Sequence, residues 1–327
     1  MPVNLEREQQ LELISRLHYL GHDRNPDHPD PIDETSIDKL SFNDPIVQNA
    51  VRSYQEFFQT SLDELTLEQY GRLSLHDGDL GPATLDLLNQ PRCGVPDYPE
   101  IPEGAEAATR NWPVQCRGGL WFGRTFRSVP TLTEADTTRA FWGAVNNITR
   151  SLADVDLKAR DFGTQGRLHI KAALKRLQGS TLAWSYLATG NCNAILDQAY
   201  NSTVRWTIQY LCTVATHEIG HAMGMGHVRD NSATMFPSIH QRSLARYGYF
   251  NSTDNAGMRA LGYRLSGLGQ SSLEELFRRR DRPDPEPDPE PDPPGDDPGL
   301  SVRLGGELVV TVDGENHYFV PIPKPRF

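Results

Sequence analysis

The chain has 327 residues, 37% of them hydrophobic, and a formal net charge of −11. That length suits about two domains with linkers, and the acidic balance argues against nucleic acid or an acidic membrane as the main partner. No apolar run reaches the roughly eighteen residues of a membrane span, and the polar start MPVNLEREQQ lacks the pattern of a signal peptide.

In chain order, Leu11, Ile14, Leu17 and Leu20 repeat at helical spacing and Gly21 stops the helix. A Pro/Asp-rich loop follows at 25–34. Ile46, Val47, Ala50, Val51, Tyr54 and Phe57 predict a second amphipathic helix, and DGDLGPATLDLLNQ a turn with a short helix. Residues 1–90 therefore read as a small all-helical domain. The proline-rich stretch 98–118 reads as an exposed connector open to proteolysis. Strands are expected at 119–126, 155–161, 168–174, 181–186 and 194–197, and helices at 133–152, 204–225 and 255–261. Together they predict an α+β domain, a twisted mixed sheet with three helices, over 119–265. Proline and acidic residues mark 266–298 as an extended linker. The last segment, 299–327, reads as a β-hairpin-like tail turning near Asp313-Gly314. It is too short for a core of its own; a truncated module, a docking tail and a targeting tail all fit.

The chemistry concentrates in VATHEIGHAMGMGHVRDNSATMFP. His217 and His221 stand four apart, so on a helix both imidazoles face one side and can share one ion. Glu218 follows the first histidine, on the ion's open side, where it can take a proton from a water. Gly224 is placed where the helix must stop and the chain turn sharply, which brings His227 round as a third nitrogen. Three protein ligands and an open position make a hydrolytic zinc site. Met235 lies eight residues after His227. Far upstream, PRCGVPD at 91–97 offers the Cys93 thiolate, a good fourth ligand for zinc. Arg92 and Asp97 could pair to hold that loop.

HEIGHAMGMGH fits HExxHxxGxxH at every fixed position. The segment resembles the metzincin metallopeptidases, and HVRDNSATMFPS resembles most the matrixins, the matrix-metalloproteinase family; Val228 departs, standing where matrixins usually carry serine. The resemblance implies His217, His221 and His227 as zinc ligands, Glu218 as general base and acid, and Met235 beneath the metal. PRCGVPD resembles the matrixin cysteine switch, and the helices before it resemble a peptidoglycan-binding-like pro-domain. This implies a helical pro-domain at 1–90, the switch at 91–97, an activation segment at 98–118 and a metzincin-type catalytic domain at 119–265. Cys93 would be a ligand in the latent form only. Trp184 and Ile195 stand where the family has metal-binding histidines, so one catalytic zinc is expected, no structural zinc, and calcium only as a possibility the sequence does not support.

The expected function is a zinc endopeptidase made as a zymogen, with protein or peptide substrates and an activating protease as partners, no nucleic acid, and a monomeric state. Residues 236–249, with Phe236, Ile239 and Leu244, are expected to wall the pocket for the residue after the cut bond. The alternatives are a cell-wall or peptidoglycan-binding protein acting through the helical domain, and a scaffold with an unused zinc site. Secretion is implied by the resemblance, against the absence of a signal peptide. With Cys93 free, Cys116, Cys192 and Cys212 can form at most one internal disulfide, whose pairing stays open. Sequons at Asn147, Asn201 and Asn251 matter only if the chain meets a glycosylation machinery.

Overall fold

The computed structural model describes residues 5–27, 31–63, 78–98, 111–277, 300–305, 307–312 and 315–319. The connector at 99–110, the tract at 278–299 and the turn at 313–314 lie outside the described residues.

The N-terminal domain is built from α1 (Arg7–Tyr19), α2 (Pro45–Phe57) and α3 (Pro82–Asn89). Glu6 and Gln9 form a capping box at the start of α1, and prolines open α2 and α3, where their missing N–H goes unneeded. Leu13, Ile14 and Leu17 of α1 pack on Val47, Val51, Tyr54 and Phe58, with Leu87 and Leu88 closing the cluster. The expected loop at 25–34 is flanked by two short 3-10 turns, His22–Arg24 and Glu34–Lys39, the second capped by the Asp33 carboxylate on Thr35 N–H. Turns this short leave no periodic signature in sequence.

Residues 1–279 make one compact unit, whose second core is a five-stranded sheet with long helices against it. Strands β1 (Leu120–Arg124), β2 (Leu157–Ala159), β3 (Ile170–Lys175), β4 (Ala183–Ser185) and β5 (Leu196–Asn201) run in the order β2-β1-β3-β5-β4. All neighbours are parallel except β4, which pairs antiparallel with β5 at one edge. β5 runs on to Asn201, beyond the expected 197, because it stays in register with β3 through Lys175. Helix α4 (Glu134–Ser151) lies on α5 (Ile208–Ala222), and both pack into the core that includes Phe122, Phe141, Ile170 and Tyr200. Thr207 caps α5 by accepting from Tyr210 N–H at 3.1 Å, so the helix starts at 208 and not at 204. Every residue of α5 from Leu211 to Ala222 is buried, as expected of a helix enclosed by its domain. Short helices α6 (Gln241–Ala245), α7 (Ser252–Ala260) and α8 (Leu273–Leu276) complete the domain.

Residues 266–277 fall in the stretch whose composition reads as linker, yet they lie along α4. Ser266 N–H donates to Ser151 O (3.0 Å), Asn146 Nδ2 donates to Leu276 O (2.7 Å), and the Phe277 ring sits edge-on to Tyr247. Leu276 and Phe277 supply apolar surface that the proline and acidic average of the region hides.

Cys116 and Cys192 form the disulfide, while Cys93 and Cys212 are free and buried. The bridge ties the segment before β1 to the loop before β5. Beside it, Trp112 is buried with its indole N–H on Ala222 O (2.8 Å), and Tyr263 Oη donates to Met223 O (2.8 Å), so the end of α5 is capped by aromatic donors. The sequon asparagines are structural: Asn147 Nδ2 donates to Tyr247 O, Asn201 Nδ2 to Thr181 O, and Asn251 Oδ1 caps α7.

Residues 280–327 form a separate unit. It holds three antiparallel strands, β6 (Leu300–Gly305), β7 (Glu307–Val312) and β8 (Glu315–Phe319), in sequence order. The expected hairpin corresponds to β7 and β8; β6 adds a third strand to it.

Candidate metal centre and its latch

His217 and His221 project from one face of α5, the rings 4.6 Å apart. The helix ends at Ala222, and Gly224 takes φ +103°, a left-handed conformation that suits a residue without Cβ. That turn brings His227 to the same point. The Nε2 atoms of His217 and His227 lie 3.0 and 3.2 Å from His221 Nε2, and Cys93 Sγ lies 3.5 Å from it. Among the described residues these four form the group of His, Cys, Asp or Glu side chains able to hold one ion, all donor atoms within 4.8 Å of one another.

The outer nitrogens decide what this cluster is for. His217 Nδ1 donates to Thr234 O (2.7 Å), His221 Nδ1 to Met225 O (2.7 Å) and His227 Nδ1 to Asp97 Oδ1 (2.7 Å). An imidazole that donates from Nδ1 presents a lone pair at Nε2. Three lone pairs thus converge, a repulsive arrangement that a shared cation turns into an attractive one. A tetrahedral zinc with nitrogen bonds of about 2.0–2.1 Å separates its nitrogens by roughly 3.3 Å, close to the spacing found. Burial and the neighbouring imidazoles lower the proton affinity of the group: His217 falls to about 3 and His221 well below the ordinary value. Neutral imidazoles and a thiol are the donor set zinc takes.

Glu218 lies on the same helix, fully buried, with the Cys93 thiol as its neighbour and no other group within hydrogen-bond reach of either carboxylate oxygen. Burial pushes its carboxyl up to about 8, and burial together with the Glu218 charge pushes the Cys93 thiol well up. A buried carboxylate so poorly supported is costly, and a divalent cation beside it would reverse both shifts. Met235 is fully buried, and the turn that carries it is fixed by Asp254, whose carboxylate accepts from Thr234 N–H and Met235 N–H at 2.9 Å each. Because Thr234 O also orients His217, Asp254 acts on the centre through the turn.

The Cys93 segment enters this centre as an added strand. Arg92 bridges in parallel to Thr181 at the free edge of β4, with Leu182 N–H on Arg92 O and Gly94 N–H on Ala183 O, each 2.8 Å. On its other side Cys93 N–H donates to Pro237 O (2.8 Å). Arg92 Nη2 and Asp97 Oδ1 meet at 2.6 Å, both side chains buried. In the full chain the Phe236 ring meets Phe58 at 5.2 Å and packs with the N-terminal core. Trp184 stacks edge-on with Tyr186 at the sheet edge, and Ile195 is 59% exposed.

Two buried histidines on α5, a third after the Gly224 turn, and a methionine turn beneath them define a metal centre of metzincin type. Residues 159–262 match the matrixin peptidase family model. Over those residues the chain is similar to the matrixin peptidases, and the three histidines of the centre lie within the matched stretch. Over 220 residues, 64% of this chain, the sequence is 29% identical to the hatching enzyme of Paracentrotus lividus, covering 35% of that protein. Over 181 residues, half of this chain, it is 28% identical to human neutrophil collagenase, covering 36% of it. The chain thus spans about a third of the length of these curated relatives. Sequence reasoning missed His22, Trp112 and Asp254; His22 and Trp112 act across long separations with no motif around them, whereas Asp254 is N3 of the capping box that Asn251 opens, a signal that could have drawn attention to it.

Proposed function

We propose that this chain is a zinc-dependent endopeptidase held latent by its own N-terminal segment, with His217, His221 and His227 as metal ligands. Cys93 fills the fourth position until that segment leaves. The observation that carries the reading is the convergence of three Nε2 lone pairs and one thiol beside a buried carboxylate. The similarity to a human protein named neutrophil collagenase agrees with a protein substrate.

When bound, zinc supplies the Lewis acidity that polarises a peptide carbonyl and makes a water acidic near neutral pH. Glu218 takes the proton of the attacking water and returns it to the nitrogen of the breaking C–N bond, so that acid and amine products leave balanced. The edge of β4 presents backbone groups at 181–183 that Arg92–Gly94 occupy in the latent chain; an extended peptide would add to that edge by the same main-chain bonds. Cutting between the latch and Trp112 would leave Trp112 and Cys116 with the mature enzyme, since both are fastened to the second domain. The disulfide suits an oxidising compartment. The cell-wall-binding alternative gains nothing from this geometry, because the apolar faces of α1 and α2 are turned to their own core and Phe236.

The test is hydrolysis of casein or a quenched peptide before and after limited trypsin, with and without a chelator. Activity should appear on cutting and vanish with the chelator. Equal activity in the uncut chain would remove the latency, and chelator-resistant activity would remove zinc. Cys93→Ser should be active without cutting.

A further inference from the structure

Asp97 is fully buried and accepts from three directions. Arg92 of the latch donates to Oδ1 at 2.6 Å, His227 Nδ1 donates to the same oxygen at 2.7 Å, and His22 Nε2 donates to Oδ2 at 2.9 Å. His22 comes from the 3-10 turn that follows α1, 75 residues before Asp97 in the chain. Its other nitrogen, Nδ1, accepts from Ser53 Oγ at 3.2 Å, and Ser53 in turn accepts from Asn25 Nδ2 at 3.0 Å. That chain of donors fixes the Nε2–H tautomer that Asp97 requires. The rings of Tyr54, Phe57 and Tyr98 meet the imidazole edge-on at 5.0, 6.0 and 5.4 Å and leave it no other seat. The backbone is fastened at the same place: Asp97 N–H and Tyr98 N–H both donate to Leu20 O.

A histidine that holds a metal is oriented by whatever accepts its other N–H. For His217 and His221 that acceptor is a carbonyl of their own domain, but for His227 it is a carboxylate of the segment to be removed. We infer that His22 is a positioning residue of the latch: it holds Asp97 where its carboxylate orients His227, so the N-terminal domain completes the metal centre it blocks. This deepens the latent-zinc reading above and rests on it. Removal of the segment takes two supports from the ion, the Cys93 sulfur and the Asp97 acceptor, and leaves His227 to find another.

The experiment uses the full, uncut, zinc-loaded chain and follows labelling of Cys93 by a chromogenic disulfide, with Cys212 buried in the core and Cys116–Cys192 already bonded. His22→Phe keeps the aromatic packing and removes the donor; it should label roughly ten- to a hundredfold faster, the effect of losing a hydrogen bond to a buried charge. His22→Gln restores an N–H near the Nε2 position and should return labelling close to the parent rate. A Phe variant as slow as the parent, or a Gln variant as fast as Phe, overturns the role of His22. A parent chain that labels like a free thiol instead overturns the latch reading itself. Zinc release to a chelator gives a second measurement, with His22 untouched. Uncut Cys93→Ser carrying Asp97→Asn should lose zinc about tenfold faster than uncut Cys93→Ser alone, and equal rates overturn the Asp97–His227 link.

Discussion

At the residue scale the centre depends on which nitrogen of each histidine carries the proton. Thr234 O, Met225 O and Asp97 Oδ1 take the three Nδ1 hydrogens, which turns three Nε2 lone pairs toward one point, as the proposed ligand set requires. Glu218 has a different position: same helix, only the Cys93 thiol beside it, a carboxyl raised by burial. Glu218→Gln should therefore lower peptide hydrolysis by about 10²- to 10⁴-fold, the scale of a lost general base, while zinc content stays at that of the parent. Turnover near the parent rate, or loss of zinc, would take the proton-transfer role from this residue. The helical spacing of His217 and His221 and the glycine at 224 were readable in the chain because local geometry fixes them. The Asp97–His227 bond was not, since nothing in 130 residues of intervening sequence says the two will meet.

At the element scale the Cys93 segment, the proposed latch, is a strand added to a sheet edge. β4 is the outer strand, with β5 on its inner side and Arg92–Gly94 along its outer edge, and Pro237 O closes the far side of the added segment by accepting from Cys93 N–H. The turn after α1 sets the far end of that strand. Gly21 has φ +83°, and a Cβ there would fall on the carbonyl oxygen of Tyr98. Gly21→Ala should destabilise the N-terminal domain by at least about 1 kcal/mol from the left-handed backbone alone and raise the activity of the uncut chain. Urea unfolding with the peptide assay checks both; an unchanged midpoint and unchanged latency would mean the α1 turn does not seat the latch. Periodicity revealed α1, α2, α4 and α5, whose apolar faces repeat with the helix. It passed over the turns at 22–24 and 34–39 and the short helix at 273–276, which are set by tertiary contacts and single caps.

For the whole molecule, folding buries titratable groups that water would otherwise hold. His22 and His169 both have lowered proton affinity, chiefly through burial. In the unfolded chain histidine binds a proton near pH 6.5, whereas the folded chain binds it only at lower pH. As pH falls through about 6.5 the unfolded state gains protons first, so stability decreases, by up to about 1.4 kcal/mol per pH unit for each such histidine. Metal ligands push in the same direction, since protons compete with zinc. Urea midpoints between pH 7 and 5 should fall with acid, and His22→Gln should flatten the slope. A flat profile in the parent chain would show that these imidazoles are not held neutral.

Sequence by itself determined the local geometry of the candidate centre: in HEIGHAMGMGH four residues make about one helical turn and a glycine ends it, and Cys93 stands in a motif recognisable without coordinates. It also determined the order of the parts, helical domain before mixed sheet. Tertiary structure alone decided how the parts engage. It paired Cys116 with Cys192 and committed the three sequon asparagines to internal bonds. It turned Phe236 toward Phe58 and joined His22 to His227 through one carboxylate. Each of these is a contact between distant residues whose energy comes from burial, and burial belongs to the folded chain as a whole.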